Sequence, residues 1–410
     1  MMLTLPWAQP VALVNARVLT PEGLAPSLRF GSRILSIGDP PRRGDMAVDL
    51  RGAFVLPGLI NAHDHLELNH YGRLKPRGPY GNATAWIDDL RPSLRDDPSI
   101  RAGRHHPLAA RLFIGALKNL LSGVTTVAHH NPLYREIGRA FPVRVLRRYG
   151  WAHSLTLEQH PVGARGEAGG NVRERCFATP HDAPFMVHAA EGTDRAAAEE
   201  VARLEALGCL RPNTVIVHGV AMTASDWELV LMRGASLIWC PASNEFLFGS
   251  TAAVRAHLDS NGRAWQHICL GSDSRISGSR DLLDELRAAT RWGVAAIELL
   301  RMVTEVPARI LKLPEAGRIA LGLPADLVVL PPREPAAAEA LVAATRSDVR
   351  LVTMSGKPVI GCPSLSAVFV ARRTTAQPVG IDGVERLVSC RLAHAIARCP
   401  IREPGVECLS

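Results

Sequence analysis

Six residues of metal-ligating type are strung along this 410-residue chain in the order His63, His65, His188, Glu191, His218 and Asp273, and all but Glu191 close an apolar, strand-like run. The first pair lies in LPGLINAHDH. Strand side chains alternate between faces, so His63 and His65, at i and i+2, point the same way while Asp64 points the opposite way. Two imidazoles on one face can share one ion. The others recur at the ends of PFMVHAAE (His188, with Glu191 just beyond), TVIVHGV (His218) and HICLGSDS (Asp273). A single histidine of this kind is commonly a hydrogen-bonded core residue. Ionisable groups ending four separate apolar strands are another matter: they are costly to bury unless something pairs them, and a divalent cation does so.

The rhythm of the chain supplies a scaffold for such a site. Residues 10 to 56 read as short strands broken by Gly and Pro. From there apolar strand candidates at 56–65, 125–130, 143–148, 153–157, 184–189, 214–220, 236–241 and 267–273 alternate with helix candidates such as PLAARLFIGALKNLL, RAAAEEVARLEALG, ASDWELVLMRG and RDLLDELRAATRW. Eight such repeats predict a (β/α)8 TIM barrel over 57–313, whose active site lies at the C-terminal ends of its strands. The six residues fall there. Short strands return in AGRIALGLPADLVVLPP and VRLVTMSGKPVIG, so 1–56 and 314–373 are expected to form one composite β-sandwich drawn from both termini. The remainder, 374–410, carries one helix candidate, GVERLVSCRLAHAIAR, and has no place in that scheme. Residues 66–106, rich in Gly, Pro and charge, are expected to be a long loop at the barrel mouth serving as a substrate lid.

Composition excludes several classes of partner. The formal net charge is +8, but the basic residues are scattered, which speaks against a nucleic-acid or membrane patch. Eight cysteines show no C-x-x-C spacing and read as free thiols of a reducing compartment. No segment reaches the roughly 18 apolar residues of a membrane span, and the first residues lack a basic signal region. The expectation is a soluble, cytoplasmic protein acting on a small molecule, with homo-oligomerisation left open.

In VLPGLINAHDHL, SGVTTV, VHAAE, VIVHGV, CPASN, GSDS, TEVPARIL and GRIALGLPADLVVL the chain resembles the amidohydrolase superfamily, within it the branch of the triazine hydrolases and the guanine and adenosyl-nucleoside deaminases. The resemblance spans residues 11 to about 362. It implies His63, His65, His188 and Asp273 as ligands of one divalent ion, zinc or else ferrous iron, with Glu191, His218 and Asp273 as the catalytic groups. Asp64 stands where threonine is common, and Ala128-His129-His130 where relatives often carry an aspartate. Binuclear relatives commonly use a carboxylated lysine, but no lysine occurs between Lys118 and Lys312, which excludes a lysine-bridged pair of metals.

Three imidazoles and a carboxylate leave a zinc ion positive enough to lower the pKa of bound water to about 7. Asp273 is expected to accept the water's proton, His218 to hold the nucleophile, and Glu191 to protonate a ring nitrogen. The expected reaction replaces an amino group on a nitrogen heterocycle with oxygen. The alternative is hydrolysis of an amide, a cyclic amide or another ring substituent, with Glu158 as an extra ligand. A metal-binding scaffold without activity is a third reading. Further candidates for substrate contact are Glu67, Trp86, Glu158 and one of His129 and His130, each weighed against a plain reading: packing for the tryptophan, a strand-terminal histidine, a solvated carboxylate. Cys240 has no basic partner in the sequence and is expected to be inert, and Asn244 to orient a loop.

Overall fold

The computed structural model describes residues 8–138, 141–156, 171–260, 262 and 264–409. Eight parallel strands follow one another: β1 (Leu59–Asp64), β2 (Val124–His129), β3 (Arg144–Val145), β4 (Gly150–Ser154), β5 (Phe185–Ala189), β6 (Thr214–His218), β7 (Ser236–Trp239) and β8 (Ile268–Leu270). They form a (β/α)8 barrel. β1 to β3 pair in one ladder and β4 to β8 in another. Closure comes through the Asp273 amide, which donates to the His63 carbonyl at 3.0 Å. β8 runs so close to β1 that a Cβ on Gly271 would lie 2.6 Å from that of His63, so the junction requires glycine.

Every residue of β1, β2, β5, β6 and β7 is buried. Parallel strands covered on both faces need continuous apolar runs, which is why TVIVH and FMVHA carry no polar alternation. Register then decides which polar residues meet. β5 and β6 pair with Ala189 opposite His218, and β4 and β5 with Ser154 opposite His188. The fourth strand begins three residues before the expected 153, so Ser154 ends it and Thr156 lies in the following turn.

The second layer is built from both ends of the chain. A nine-stranded sheet joins Arg17–Thr20, Gly23–Ala25 and Phe54–Pro57 to strands beyond residue 326, and a four-stranded sheet uses Val11–Val14, Leu28–Phe30, Ile34–Ile37 and Met46–Asp49. Val11, Leu13, Phe30, Val55, Leu327, Val329 and Leu351 fill the space between them. Two expectations are corrected. The segment 374–410 is not a lone helix: Ala376–Ile381, Val384–Ser389 and Val406–Cys408 extend the nine-stranded sheet, and only Cys390–Arg398 is helical. Val384–Ser389 pairs as a strand because Arg386 and Val388, two apart and so on one face, are buried, while its backbone pairs with Ala376–Ile381.

The stretch 66–106 is not a loop throughout. Ala83–Asp96 and Pro98–Arg104 are helices, the first capped by the Asn82 side chain, which accepts from the Ala85 amide at 2.9 Å. Ala83, Trp86 and Leu90 on that helix are buried against Val220, Leu247, Phe248 and Ile276, which follow β6, β7 and β8. The segment therefore lies across the C-terminal ends of the barrel strands. No helix among the described residues is long and apolar enough to cross a membrane, and all eight cysteines are free thiols.

Candidate metal centre

The barrel brings the six residues together. The ring of His63 on β1 and that of His65 just past its end lie 4.9 Å apart; His188 of β5 is 5.0 Å from His63 and 5.4 Å from His65; His218, closing β6, is 5.4 Å from His188. Asp273 Oδ1 stands 3.7 Å from His63 Nε2 and 4.0 Å from His65 Nε2. Two atoms each about 2.1 Å from a shared zinc cannot be more than about 4.2 Å apart. Both separations meet that limit.

The hydrogen bonds behind the rings set which nitrogens face the centre. His188 Nδ1 lies 2.7 Å from the His153 carbonyl, so this nitrogen carries the proton and Nε2 is the donor atom. His130 Nε2 is 2.9 Å from the Ala152 carbonyl, which fixes the proton there and leaves its Nδ1 an acceptor for His63 Nδ1–H at 3.3 Å. That relay leaves a lone pair on His63 Nε2, a buried nitrogen without a hydrogen-bond partner. An orphaned, unprotonated nitrogen aimed at other ligand atoms is what a metal would satisfy. Burial, reinforced by the neighbouring imidazoles, holds His63 and His188 well below the usual histidine range and therefore in the neutral, ligating form.

Asp273 is held from all sides. Ser243 Oγ and Ser277 Oγ each donate to Oδ2 at 2.9 Å, and the Ser274 amide donates to Oδ1 at 2.6 Å. Burial raises its pKa, but His65, His218 and these donors outweigh it, and the group titrates below the ordinary aspartate value. Its backbone adopts φ 52°, and His218 adopts φ 78°. Positive φ at non-glycine residues costs of order 1–3 kcal/mol and persists where the surroundings impose it. Glu191 differs from Asp273: burial, then the charges of Asp273 and Glu200, push its carboxyl well above the glutamate range. Its Oε1 stands 3.4 Å from His218 Nε2. His218 Nδ1 lies 2.8 Å from Asn244 Oδ1, and Asn244 Nδ2 donates to Thr251 Oγ1 at 3.1 Å, so the amide orientation makes Nδ1 the protonated nitrogen.

Beneath the centre lies a buried polar layer. Asp64 points away from the two histidines, as alternation requires, and meets Lys118 Nζ at 3.2 Å, both side chains fully buried. Lys118 also donates to Asn69 Oδ1 at 2.8 Å and to the Asp273 carbonyl at 2.7 Å, while Asn69 and Asn119 donate to Asp64 at 2.8 Å each. The helix carrying Lys118, Leu108–Leu121, approaches the turn after β1 through Gly115, where a Cβ would stand 2.2 Å from the Leu66 carbonyl.

The remaining candidates are distributed differently. Trp86 is packing: its indole donates to the Leu74 carbonyl at 2.9 Å inside the cluster over the mouth. Both His129 and His130 are buried, and neither presents an open face to substrate. His130 backs His63, and His129 Nδ1 accepts from the Leu66 amide at 3.3 Å. Glu67 is buried against Asn131 and Tyr134, with Oε2 3.8 Å from His129 Nε2. Glu158 lies outside the described residues. Asn244, read as a loop-orienting residue, directly holds His218. Burial, followed by the charge of Asp273, raises the Cys240 thiol well above its usual range, which leaves it inert.

Known proteins resemble this chain in sequence and in fold. The model of the amidohydrolase family matches residues 174–359. A 5-methylthioadenosine/S-adenosylhomocysteine deaminase of Halobacterium salinarum is 28% identical over 390 residues, covering 80% of this chain and 86% of its own. The protein of that description from Natronomonas pharaonis is 26% identical, covering 85% and 92%. Among solved structures, a triazine hydrolase variant superposes with a TM-score of 0.68 at 19% identity, covering 88% of this chain and 99% of its own. A zinc-bound adenosine deaminase from Xanthomonas campestris does so with 0.62 at 19%, covering 90% and 98%.

Proposed function

We propose that the chain is a member of the amidohydrolase family, whose model matches residues 174–359, and that His63, His65, His188 and Asp273 hold one zinc ion, at which an exocyclic amino group of a nitrogen heterocycle is hydrolysed to ammonia. The enzyme is a metal-dependent hydrolase of carbon–nitrogen bonds, a deaminase. The substrate class we infer is the adenine nucleoside with a modified 5′ position, the kind of molecule named for its relatives.

When bound, the ion supplies Lewis acidity that makes water a competent nucleophile at neutral pH. The chain's residues do the rest. Glu191, kept protonated by burial, donates its proton to the ring nitrogen beside the amino-bearing carbon, which makes that carbon electrophilic. Asp273, ionised and pinned through Oδ2 by two hydroxyls, accepts a proton from the attacking water and passes it to the departing nitrogen. His218 presents Nε2 because Asn244 holds its Nδ1, and so orients the nucleophile against the ring. The carbon–nitrogen bond breaks as ammonia leaves, and the proton remaining on the new oxygen returns to Glu191, leaving a ring carbonyl.

The observation that carries this reading is the placement of Glu191 Oε1 3.4 Å from His218 Nε2, beside the imidazole cluster, where burial pushes its carboxyl well above the glutamate range. An open-chain amide has no ring nitrogen for that proton. The test is ammonia release by zinc-loaded protein on 5′-methylthioadenosine, S-adenosylhomocysteine, adenosine, aminopterins and aminotriazines. Turnover is expected on at least one adenine nucleoside. Release of carboxylate products from cyclic amides, with no ammonia from any amino-heterocycle, would refute the assignment.

A further inference from the structure

The C-terminal segment reaches the turn that follows β8. Glu403, just ahead of the strand Val406–Cys408, is buried, and its carboxylate is held by two arginines. Arg275 grips it with both ends of the guanidinium, Nη1 to Oε2 at 2.9 Å and Nη2 to Oε1 at 2.5 Å. Arg346 Nη1 meets Oε1 at 2.8 Å, and Arg346 Nε donates to Asp281 at 2.6 Å. Two carboxylates and two guanidiniums thus balance one another in a site closed to water.

Arg275 lies two residues beyond Asp273 on the turn that follows β8. Its amide donates to Asn69 Oδ1 at 3.2 Å, and Asn69 in turn holds Asp64 and Lys118, which donates to the Asp273 carbonyl. Its Nε donates to the Arg280 carbonyl at 2.9 Å, bracing the turn across its base. Asp281, at the far end of the same turn, caps the helix Leu282–Arg291 by accepting from the Leu283 and Asp284 amides. Glu403 therefore fixes the turn carrying Asp273 through Arg275 at one end and, through Arg346 and Asp281, at the other.

We propose that Glu403 is a positioning residue of the metal centre: the C-terminal segment acts as a strap that holds the Asp273 turn in ligating geometry. A bidentate carboxylate–arginine pair suits this role because it fixes orientation as well as distance. The proposal rests on the reading of Asp273 as a metal ligand. Residues that orient a metal ligand through hydrogen bonds commonly affect metal affinity by about 10–100-fold when replaced. Glu403 acts through one intermediary, which places the expected effect near about tenfold.

The test measures zinc retention in the full-length holoenzyme challenged with a chelator, alongside thermal stability. Glu403→Gln keeps the side chain's shape and one acceptor oxygen but removes its charge, and is expected to weaken zinc binding about tenfold. Asp382→Asn is the control: it loosens the pair between Asp382 and the Arg280 side chain, which ties the hairpin 376–389 to the same region, and leaves the Glu403–Arg275 pair itself in place. It is expected to lower thermal stability with zinc affinity unchanged. Should Glu403→Gln not fold, Arg275→Lys keeps the charge pair but loses the fork, and its zinc affinity decides the matter in the same direction. Wild-type zinc affinity in whichever of these variants folds, or an equal loss in Asp382→Asn, overturns the proposal. Asp273→Asn is measured in parallel. If it keeps zinc, the ligand assignment itself fails, whatever Glu403 does.

Discussion

Replacing His130 with leucine should weaken metal binding without opening the substrate site. His130 is fully buried, with Nε2 2.9 Å from the Ala152 carbonyl and Nδ1 3.3 Å from His63 Nδ1. Leucine fills much of the ring's volume but accepts no hydrogen bond, so His63 has two options. It can keep its proton on Nδ1, leaving a buried donor unsatisfied at a cost of about 1–3 kcal/mol. It can instead move the proton to Nε2 and forfeit the ligating lone pair. Either route subtracts from the free energy of metal binding, and since 1.4 kcal/mol corresponds to a factor of about ten, the dissociation constant should rise about 5–150-fold. Competition with a chromogenic chelator measures it. Unchanged metal affinity with a raised KM would refute the relay and return His130 to the substrate-contact role that the sequence suggested.

Glu191→Gln should retain metal and lose about 10²-fold or more in kcat, the scale of general acid catalysis. Because the folded protein holds Glu191 protonated above the usual range, activity in the wild type should fall as pH rises through that raised pKa; an alkaline limb of kcat/KM that persists unaltered in Glu191→Gln would assign it elsewhere. Glu200, buried and accepting from the Ala190 amide at 2.8 Å, is pushed up to about 7 by burial. The folded state then binds a proton that the unfolded state has released, so this group's contribution is complete below about pH 4.5 and shrinks by about 3 kcal/mol as pH rises to 7. Chemical denaturation of Glu200→Gln across that window should show a flatter pH dependence than the wild type, and an identical slope would count against it. Lys118→Met leaves the Asp64 carboxylate buried and unpaired at a cost of about 3–5 kcal/mol. Adding Asp64→Asn should recover part of that loss in a double-mutant cycle; strict additivity would mean that the two groups are not coupled.

The eight-stranded barrel was legible because a doubly covered parallel strand has to be apolar along its length, and VTTVAH, FMVHA, TVIVH and SLIW stand out between amphipathic stretches. The six ionisable residues stood out for the same reason. What escaped were features that depend on pairing between distant segments. His130 looks like a strand-terminal histidine until the Ala152 carbonyl of β4 is brought beside it. Asn244 carries no sign of His218, 26 residues earlier. The strands of 374–410 were hidden because GVERLVSCRLAHAIAR has helical spacing over its whole length, and the nine-stranded sheet takes its first half for pairing. The helix Ala83–Asp96 was obscured by Pro92 and a polar composition, since only Ala83, Trp86 and Leu90 are buried and Asp88, Asp89, Arg91, Arg95 and Asp96 are charged. Asp64 was recognised as unusual at its position, but its partner Lys118 lies 54 residues away and on a helix, where nothing local announces a buried ion pair.

The most direct test of the central claim is metal stoichiometry against ammonia release. Protein stripped by a chelator and reloaded with zinc in substoichiometric steps should release ammonia from an adenine nucleoside in proportion to bound zinc, reaching its plateau at one equivalent per chain. Turnover that survives in the metal-free protein, or a plateau that requires two equivalents, would contradict a single ion held by His63, His65, His188 and Asp273.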